Sequence, residues 1–511
     1  MTLTQWFLFF LVVQVIHFLG TWKLYIKAGR KSWEAIIPIY NAIVLMQIIN
    51  RPKWWVILLF IPIINLLMFP VVWVETIRSF GKRTTKDSIL VIVTLGFYIY
   101  YINYMEDATH IKDRSLTPRT AAGEWVSSIV FAIIAATLVH TYFMQPYTIP
   151  TSSLEKSLLI GDFLFVSKFH YGARIPMTTV AAPMVHDTLP FVKIRSYLNK
   201  PQLPYFRIPG FQDIKRNDIV VFSWPVDTVE QFFKKTNRKI RKPIDKKSNY
   251  VKRCVGVPGD SLAIKDGFVY INGKQNVLPD RARLQFYYDV NTEGKELSLS
   301  SIRNSYHVRE GGRMQDGNYV LNLSDEDASR LKNNPAVKSL NRRISPAGEG
   351  EKVFPGVKSL NWNKDNFGPI YVPEKGKTVS ITKASLPFYK KIIVEYEKNS
   401  LQVTGDEILI NNKPANSYTF KQNYYWMMGD NRHNSEDSRY WGFVPFDHVV
   451  GKPVFIWFSW NSDGKGMDKI RWERLFTTVG GSGKPVSYFY YFLGVLALFY
   501  AYSVYKKRKN S

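Results

Sequence analysis

Long apolar stretches occupy the two ends of this 511-residue chain, and a long polar region separates them. Each stretch is about as long as the roughly 20 residues that a membrane-spanning helix needs. The five stretches are residues 5–22, 54–74, 88–104, 125–143 and 486–504. The first has no basic segment before it, so we interpret it as an uncleaved helix rather than a secretory signal. A shorter run, residues 36–50, is predicted to be interfacial or re-entrant.

The polar region carries the pattern of β-structure. Short runs of β-branched and aromatic residues alternate with turn signals that contain Gly, Pro, Asn or Asp. The clearest runs are residues 162–167, 218–224, 267–271 and 391–396. Asn272-Gly273 predicts a tight hairpin turn after the third of these runs. Residues 281–365 are richer in charge, Asn and Ser, which indicates an inserted subdomain or long loops.

Together these patterns predict a mostly β domain anchored by several transmembrane α-helices. The predicted organisation is a multi-helix membrane region with about three transmembrane helices, a further transmembrane helix, a large β domain with one insertion, and a C-terminal transmembrane helix with a basic tail. The corresponding residues are 1–124, 125–143, 145–480 with the insertion at 281–365, and 486–504.

Basic residues beside the apolar stretches predict which side each loop faces, because Lys and Arg concentrate in cytoplasmic loops. The chain ends in Lys506, Lys507, Arg508 and Lys509, and Lys112, Arg114 and Arg119 precede the fourth stretch. Residues 145–485 are therefore expected to face outward. One loop disagrees with this five-helix count, since Arg78, Lys82, Arg83 and Lys86 would also face outward. Either an extra crossing exists or that loop is interfacial.

The overall charge narrows the class of partner. The chain has 68 Lys and Arg against 41 Asp and Glu, a formal net charge of +27. Such an excess suits nucleic acid, an anionic membrane surface or an acidic partner. The basic residues are scattered and several flank apolar stretches, which favours the membrane. The single cysteine, Cys254, excludes an intrachain disulfide, and the eight histidines show no metal-ligand spacing.

Three short segments carry candidate chemistry: residues 149–162, 250–260 and 428–445. Taken singly, each has an ordinary structural explanation. A Ser or Thr after a helix is usually a turn or a cap, a strand Lys usually reaches water, and Gly-Asp-Asn-Arg is usually a loop with local salt bridges.

In their joint order these segments resemble bacterial type I signal peptidases, over about residues 145–460. The third segment matches the family pattern Gly-Asp-Asn-Arg, Asn-Ser and Asp-Ser-Arg almost throughout, and residues 218–222 supply the strand between the other two. The serine segment departs more from the family pattern than the other segments do. The family usually has Ser at Thr151, Met at Leu154 and Pro at Lys156, and the usual Asp after Asn-Arg is His433 here.

The resemblance implies a serine endopeptidase of signal-peptidase-like β fold, with Ser153 as nucleophile and Lys252 as general base. The chemistry agrees, because a serine hydroxyl needs a base within hydrogen-bond reach and no histidine is suitably placed in these segments. A lysine serves only if burial lowers its pKa, and the apolar neighbours of Lys252 could provide that burial. By resemblance, Ser435 would orient the lysine. The backbone N–H of Ser153 and the hydroxyl of Thr151 would form the oxyanion hole.

The remaining site residues divide into two groups. One group is expected to fix the loop through ion pairs: Asp430, Asp437, Arg253, Arg432 and Arg439. The other is expected to line shallow pockets for small substrate residues at −1 and −3: Ile149, Pro150, Leu154, Leu158, Tyr250 and Val251. An extended preprotein segment would lie beside the site as an added strand.

The resemblance also implies partners and a location. Secretory preproteins with signal peptides would be the substrates, membrane lipid a further partner, and no nucleic acid, cofactor or metal is expected. The protein would be a multi-pass protein of the bacterial inner membrane with its catalytic domain on the outer, periplasmic side. Three alternatives remain: an inactive binding or scaffold protein of the same fold, a membrane-tethered nucleic-acid-binding module, and a different Ser-Lys hydrolase such as a self-cleaving repressor-type protease. The first alternative predicts that mutation of any of Ser153, Lys252, Ser435 and Asp437 is silent.

Overall fold

The computed structural model describes residues 1–118, 120–228, 240–298, 302–303, 305–306 and 308–509. Arg119, one of the predicted cytoplasmic flanks, lies outside the described residues, as do parts of the predicted insertion. The chain divides into two compact units. The first comprises Met1–Met144, Ala173–Ile208 and Arg241–Lys246, and the second comprises Gln145–Gly172, Pro209–Ile240 and Lys247–Ser511.

Helices dominate the first unit. They are α1 (Leu3–Lys27), α2 (Tyr40–Ile48), α3 (Trp55–Leu58), α4 (Ile64–Ser79), α5 (Thr85–Val93), α6 (Tyr98–Tyr104) and α7 (Ala121–Leu138), which the π-helical turn Val139–Phe143 extends. Among the described residues, Leu3–Lys27 and Ala121–Phe143 are each long and apolar enough to cross a membrane. A third candidate arises only if α5 and α6, which are bent by 114°, are counted as one span.

The apolar stretch 54–74 does not form the single helix predicted for it. It is divided between α3 and α4, and Pro62 lies in the break. Proline lacks a backbone N–H and disfavours a helical residue before it, and Ile63 after it has a positive φ of 70°. The stretch 88–104 is likewise broken between α5 and α6, where Gly96 has a φ of 88°. Sequence hydropathy does not detect these breaks, because both sides of each break are apolar.

Charged side chains of the first unit collect at one end of its helices. Glu75 on α4 accepts a hydrogen bond from Arg51 Nε at 2.9 Å and also pairs with Arg114. Lys82 pairs with Glu106 at 2.9 Å, and Lys27 at the end of α1 donates to the Glu106 carbonyl at 2.9 Å. Lys27, in the basic flank of α1, and Lys82, in the basic loop that did not fit the five-helix count, therefore lie at the same end of the unit.

The first unit also contains a segment from the predicted β domain. Residues Ala173–Ile208 belong to it, so the predicted boundary at residue 145 does not describe these compact units. Ala181 and Tyr197 pack with Ile63 in one hydrophobic cluster. Trp6 of α1 donates from its indole Nε1 to the carbonyl of Gln202 at 3.0 Å.

The second unit is largely β. The strands of its main sheet are β1 (Met144–Thr148), β2 (Asp162–Ser167), β3 (Ile219–Ser223), β4 (Asn249–Gly256), β18 (Tyr424–Met428), β19 (Val444–Pro445), β20 (Val449–Ser459) and β21 (Thr477–Thr478). Their order in the sheet is β1-β2-β20-β3-β4-β18-β19, with β21 beside β20.

Three smaller sheets complete this part of the unit. Their strands are β5 (Ser261–Lys265), β6 (Phe268–Ile271), β7 (Lys274–Gln275), β12 (Phe367–Tyr371), β13 (Thr378–Ser380), β14 (Leu401–Thr404), β15 (Glu407–Ile410), β16 (Lys413–Pro414) and β17 (Ser417–Thr419). The orders of these sheets are β12-β5-β6-β7, β13-β17 and β14-β15-β16.

Two local predictions in this unit have opposite outcomes. The Asn272-Gly273 hairpin is confirmed, because both residues have positive φ and join the antiparallel strands β6 and β7. The run 391–396 is wrong as a strand, since it closes a helix that begins as α9 (Leu386–Lys391) and continues as the π-helical turn Ile392–Tyr396. Its buried residues, among them Tyr389 and Ile392, recur at helical spacing, so packing against the core overrides the strand preference of β-branched residues.

A fifth sheet stands within the predicted insertion, and we call it with its helix the inserted subdomain. Its strands and helix are β8 (Gln285–Asn291), β9 (Gly311–Arg313), β10 (Tyr319–Ser324), α8 (Asp325–Lys332) and β11 (Ser339–Arg342), with sheet order β11-β8-β10-β9. A hydrophobic cluster of its own, including Phe286, Leu321 and Leu331, packs beneath the sheet. Beyond it lie α10 (Ser438–Trp441), in the third motif segment, and the exposed helix α11 (Phe489–Lys509).

Candidate active site

Ser153 lies in a short 3-10 turn, Ser152–Leu154, between β1 and β2. Ser153 is 9% exposed, whereas Thr151, two positions earlier, is exposed and has an extended backbone. Asn431 fixes the turn from the third motif segment: its backbone N–H donates to the Ser153 carbonyl at 3.1 Å, and its Nδ2 donates to the Ser152 carbonyl at 3.2 Å. The peptide that carries Ser153 is thus held in place by hydrogen bonds to its backbone.

Lys252 lies at the centre of the main sheet, on β4. Val220 of β3 is its direct cross-strand partner, and Tyr250 lies on the same face two residues away. The lysine is 2% exposed, and its Nζ lies 5.5 Å from the centroid of the Tyr250 ring. Among the described residues no hydrogen bond or ion pair holds this amine, and none joins it to Ser153.

Burial decides the protonation of Lys252. Removal from water disfavours the charged ammonium and lowers the pKa of Lys252 to about 8, from an ordinary value of 10.5. The negative charge of Asp437 has the largest opposing effect and raises the pKa of Lys252, while the positive charge of Arg439 partly cancels that effect. The turn that carries Ser153 packs against β4, so the lysine whose pKa is lowered lies in the strand that this turn contacts.

Ser435, Gly429 and the Ser153 carbonyl are packed closely together, and we call this place the crowded point. A Cβ added to Gly429 would lie 2.3 Å from Ser435 Oγ and 2.5 Å from the Ser153 carbonyl oxygen. The position therefore requires glycine. Among the described residues, Ser435 Oγ is buried and has no hydrogen-bond partner. A buried hydroxyl without a partner is costly, and this one lies beside the Ser153 carbonyl.

Two buried ion pairs hold the third motif segment. Arg253 binds Asp430 through two hydrogen bonds, at 2.7 Å and 2.6 Å, and Arg439 Nη2 binds Asp437 at 2.8 Å. Burial alone would raise the pKa of each carboxyl group, but the adjacent guanidinium groups hold both pKa values below their ordinary range. Asp437 also accepts the Gly429 N–H at 3.1 Å, which ties the ion pair to the crowded point.

Arg432 does not have the role predicted for it. Asp430 and Asp437 are already bound by Arg253 and Arg439, and Arg432 forms no ion pair with any described residue. Its Nη1 donates instead to the carbonyl of Gly267 at 2.6 Å. Burial, with Arg439 nearby, lowers the pKa of Arg432 to about 10.

The predicted pocket residues fall into two hydrophobic clusters. Ile149, Leu154 and Leu158 are buried in one cluster, against which Val251 packs. Tyr250 belongs to the other, where its ring stacks on Trp224 at 5.1 Å between centroids. Leu158 is 0% exposed, which differs from an open pocket wall because its side chain lies wholly inside the core. Pro150 is exposed.

Several residues at the site were given no role by the sequence. His433 is one, since its Nδ1 accepts the Tyr287 N–H at 3.1 Å and its Nε2 lies 2.9 Å from Asp365 Oδ1. With Nδ1 accepting, the ring proton is on Nε2 and is donated to Asp365. Glu310 of the inserted subdomain is another, because it accepts a hydrogen bond from Ser152 Oγ. No sequence pattern marks Glu310, since it is about 160 positions from its partner and stands outside every motif.

No metal site is evident in the described part of the chain, where no three His, Cys, Asp or Glu side chains are grouped as metal ligands. Cys254 is fully buried in β4, and burial raises the pKa of its thiol. It therefore behaves as a small core residue rather than as a ligand or nucleophile.

Comparison with known proteins gives two family matches. The model of the family described as signal peptidase, peptidase S26, matches residues 122–329 and 372–460, more than half of the chain. A family of unknown function, DUF5684, matches residues 33–113.

Curated relatives agree with the first of these matches. Signal peptidase I of Helicobacter pylori is 26% identical over 379 residues, which cover 71% of this chain and 93% of the relative. Signal peptidase I of Buchnera aphidicola is 25% identical over 348 residues, 67% of this chain and 79% of the relative. Signal peptidase I of Rickettsia massiliae is 25% identical over 358 residues, 68% and 86% respectively.

Proposed function

This chain belongs to the signal peptidase S26 family, and we propose that it removes N-terminal signal peptides from exported preproteins with a Ser153/Lys252 dyad. The observation that carries the proposal is the environment of Lys252. Its amine is buried in the main sheet without a bound counter-charge, and its pKa is lowered to about 8. A lysine of that pKa can act as a base near neutral pH.

In the proposed mechanism the neutral amine of Lys252 accepts the proton of Ser153 Oγ as the oxygen attacks the scissile carbonyl. The backbone N–H of Ser153 and the hydroxyl of Thr151 donate to the developing oxyanion. As the tetrahedral intermediate collapses, the C–N bond breaks and the Lys252 ammonium returns its proton to the leaving amine. Water, deprotonated by the neutral lysine, then hydrolyses the acyl-enzyme and frees Ser153.

Ser435 supports this mechanism as the residue that orients Lys252. Its hydroxyl is buried and unbonded among the described residues, so it can accept from the lysine ammonium once that group forms. Hydrogen bonds of a catalytic group are often long without substrate and shorten when substrate is bound. We place the five other charged residues in support of the loop, with Arg432 acting through the Gly267 carbonyl rather than through an ion pair.

For the substrate we propose an extended segment with small residues at −1 and −3, lying as an added strand. Ile149, Leu154 and Val251 would supply the apolar floor of its pockets, and Leu158 would support them from the core. We further propose an inner-membrane location with the peptidase unit on the outer side. The family membership and the two apolar helices support membrane anchoring.

The test is cleavage of a model preprotein by the full-length protein in detergent micelles, with the cut site read by mass spectrometry. Ser153→Ala is expected to abolish cleavage, because no hydroxyl remains to attack. Ser152→Ala is the register control, and it should retain measurable cleavage at the same bond. Cleavage by folded Ser153→Ala, or its loss only in Ser152→Ala, would show that Ser153 is not the nucleophile.

A further inference from the structure

Side chains on either side of Ser153 contact the inserted subdomain. Ser152 Oγ donates to Glu310, and Lys156 forms an ion pair with Asp327 of α8. Glu155 lies 3.4 Å from Arg309, which is adjacent to Glu310. Lys156 stands where the family usually has Pro, so one departure from the family pattern coincides with a contact to this subdomain. The nucleophile segment is thus attached to the inserted subdomain by polar groups on both sides of Ser153.

Glu310 is the central group of this attachment. Its Oε1 accepts from Ser152 Oγ, and its Oε2 accepts from Asn434 Nδ2 at 2.5 Å and from Asn431 Nδ2 at 3.3 Å. Asn434 Nδ2 also donates to Ser152 Oγ at 2.9 Å. The carboxylate therefore receives donors from both the serine segment and the third motif segment, and it connects them.

Asn431 carries this connection to the peptide of the nucleophile. Its Nδ2 donates to the Ser152 carbonyl at 3.2 Å, which belongs to the same peptide unit as the Ser153 N–H, while its Oδ1 accepts from Asn322 Nδ2 of β10 at 2.8 Å. We call this unit the Ser153 peptide. The amide of Asn431 is thus held by two residues of the inserted subdomain, Glu310 and Asn322. A change in either would alter the direction in which Asn431 holds the Ser153 peptide.

The inserted subdomain holds Glu310 firmly. The residue directly precedes β9, and its carbonyl accepts the Asn322 N–H at 2.9 Å. Val308, two positions earlier, is buried in the hydrophobic cluster of the subdomain. The carboxylate therefore projects from a packed sheet, which is the kind of support that can fix a neighbouring group to within a fraction of an ångström.

We propose that Glu310 is a positioning residue, through which the inserted subdomain sets the orientation of the Ser153 peptide and so the rate of the chemical step. The inference rests on the proposed function of Ser153. The N–H of Ser153 is one of the proposed oxyanion donors, so rotation of this peptide moves the donor and the nucleophile together. A displacement of about 1 Å at a reacting group can cost about 10²-fold in rate. Glu310 bonds neither Ser153 Oγ nor Lys252, so it does not transfer a proton.

The test measures kcat and KM for a model preprotein with full-length variants in detergent micelles. Glu310→Ala is expected to lower kcat by about 10-fold to 10²-fold and to leave KM within about twofold. Glu310→Gln should fall between wild type and Glu310→Ala, because one amide oxygen can replace only one of two accepting carboxylate oxygens. The pH midpoint of activity should not move, since the surroundings of Lys252 are unchanged.

Asp289→Ala is the matched control. Asp289 is a carboxylate on β8 of the same sheet, and it pairs with Arg343 while both side chains are about half exposed. It should leave kcat unchanged. A double-mutant cycle adds a second readout: Ser152→Ala should lower kcat in the wild-type background and add little in the Glu310→Ala background.

Each outcome decides the inference. Wild-type kcat in folded Glu310→Ala, a rise in KM alone, or additive effects of the two substitutions would each overturn it. If Glu310→Ala does not fold, Glu310→Gln decides by the same criteria, because it keeps the size of the side chain. Ser153→Ala is measured in parallel. An active Ser153→Ala refutes the proposed function, whereas an inactive Ser153→Ala with normal Glu310 variants refutes only the positioning role.

Discussion

Replacing Lys252 with arginine should abolish cleavage at every pH. Arginine keeps a positive charge and much of the length, but its pKa above about 12 prevents deprotonation. If Lys252 were needed only as a structural cation, Lys252→Arg would keep at least part of the cleavage activity. If Lys252 is needed as a neutral base, Lys252→Arg has no activity.

The size of the effect follows from the pKa of Lys252. With a pKa of about 8, roughly one lysine in ten is neutral at pH 7, against fewer than about one in a thousand for an ordinary lysine. Burial thus raises the population of competent base by more than about 100-fold. The cost is of the order of 3 kcal/mol of folding free energy at neutral pH, because the charged form is disfavoured only in the folded protein.

This cost determines whether the free energy of unfolding rises or falls with pH. Between pH of about 8 and 10.5 the unfolded chain binds more protons at Lys252 than the folded chain, so the free energy of unfolding should rise with pH there. Lys252→Met removes the amine at similar length. It should be inactive, more stable than wild type at neutral pH, and without this rise.

The assay is single-turnover cleavage of a preprotein from about pH 6 to about pH 10, with urea unfolding at the same pH values. Wild-type kcat/KM should rise with a midpoint near the lowered pKa of Lys252. Lys252→Arg and Lys252→Met should both be inactive. Substantial cleavage by Lys252→Arg, with the same rising limb as wild type, would refute the dyad.

Three further substitutions test the surroundings of the site. Thr151→Val should lower kcat by about 10²-fold to 10³-fold through loss of an oxyanion donor, while Thr151→Ser keeps most of the rate; equal kcat values would remove Thr151 from the oxyanion hole. Gly429→Ala forces a methyl group to 2.3 Å from Ser435 Oγ, so kcat should drop steeply, whereas Gly480→Ala meets no atom within 4 Å and should be neutral. Asp430→Asn leaves Arg253 buried without its counter-charge and should cost about 3–5 kcal/mol in urea unfolding, against less than about 1 kcal/mol for the exposed pair residue in Asp406→Asn.

Local pattern was enough to predict much of the β domain. β2 has the predicted limits, Asp162–Ser167, and the Asn272-Gly273 turn joins the strands it was expected to join. Both features depend on neighbours in sequence. The run 391–396 shows the limit of the same reasoning, because its apolar residues satisfy either period and packing in the core decides for the helix.

Partners distant in sequence could be predicted only where a motif identified them. The motif segments predict that Asp430 and Asp437 form ion pairs, and each has an arginine partner. Which arginine binds which carboxylate depends on the folded geometry, and Arg432 is left with a carbonyl instead. The contact of Glu310 could not be predicted from the sequence, because its hydrogen bond to Ser152 exists only after the inserted sheet has formed.

The ion pairs at one end of the first unit have a consequence for how its short helices could enter a bilayer. Arg51 precedes α3 and binds Glu75 near the end of α4, while Lys82 precedes α5 and pairs with Glu106 after α6. Each pair of helices therefore leaves and returns at one end and makes a hairpin, which adds no net crossing. With α1 and α7 as the two candidate spans among the described residues, we expect Leu3 and Phe143 to face one side of a membrane and the loops that carry Arg51 and Lys82 to face the other.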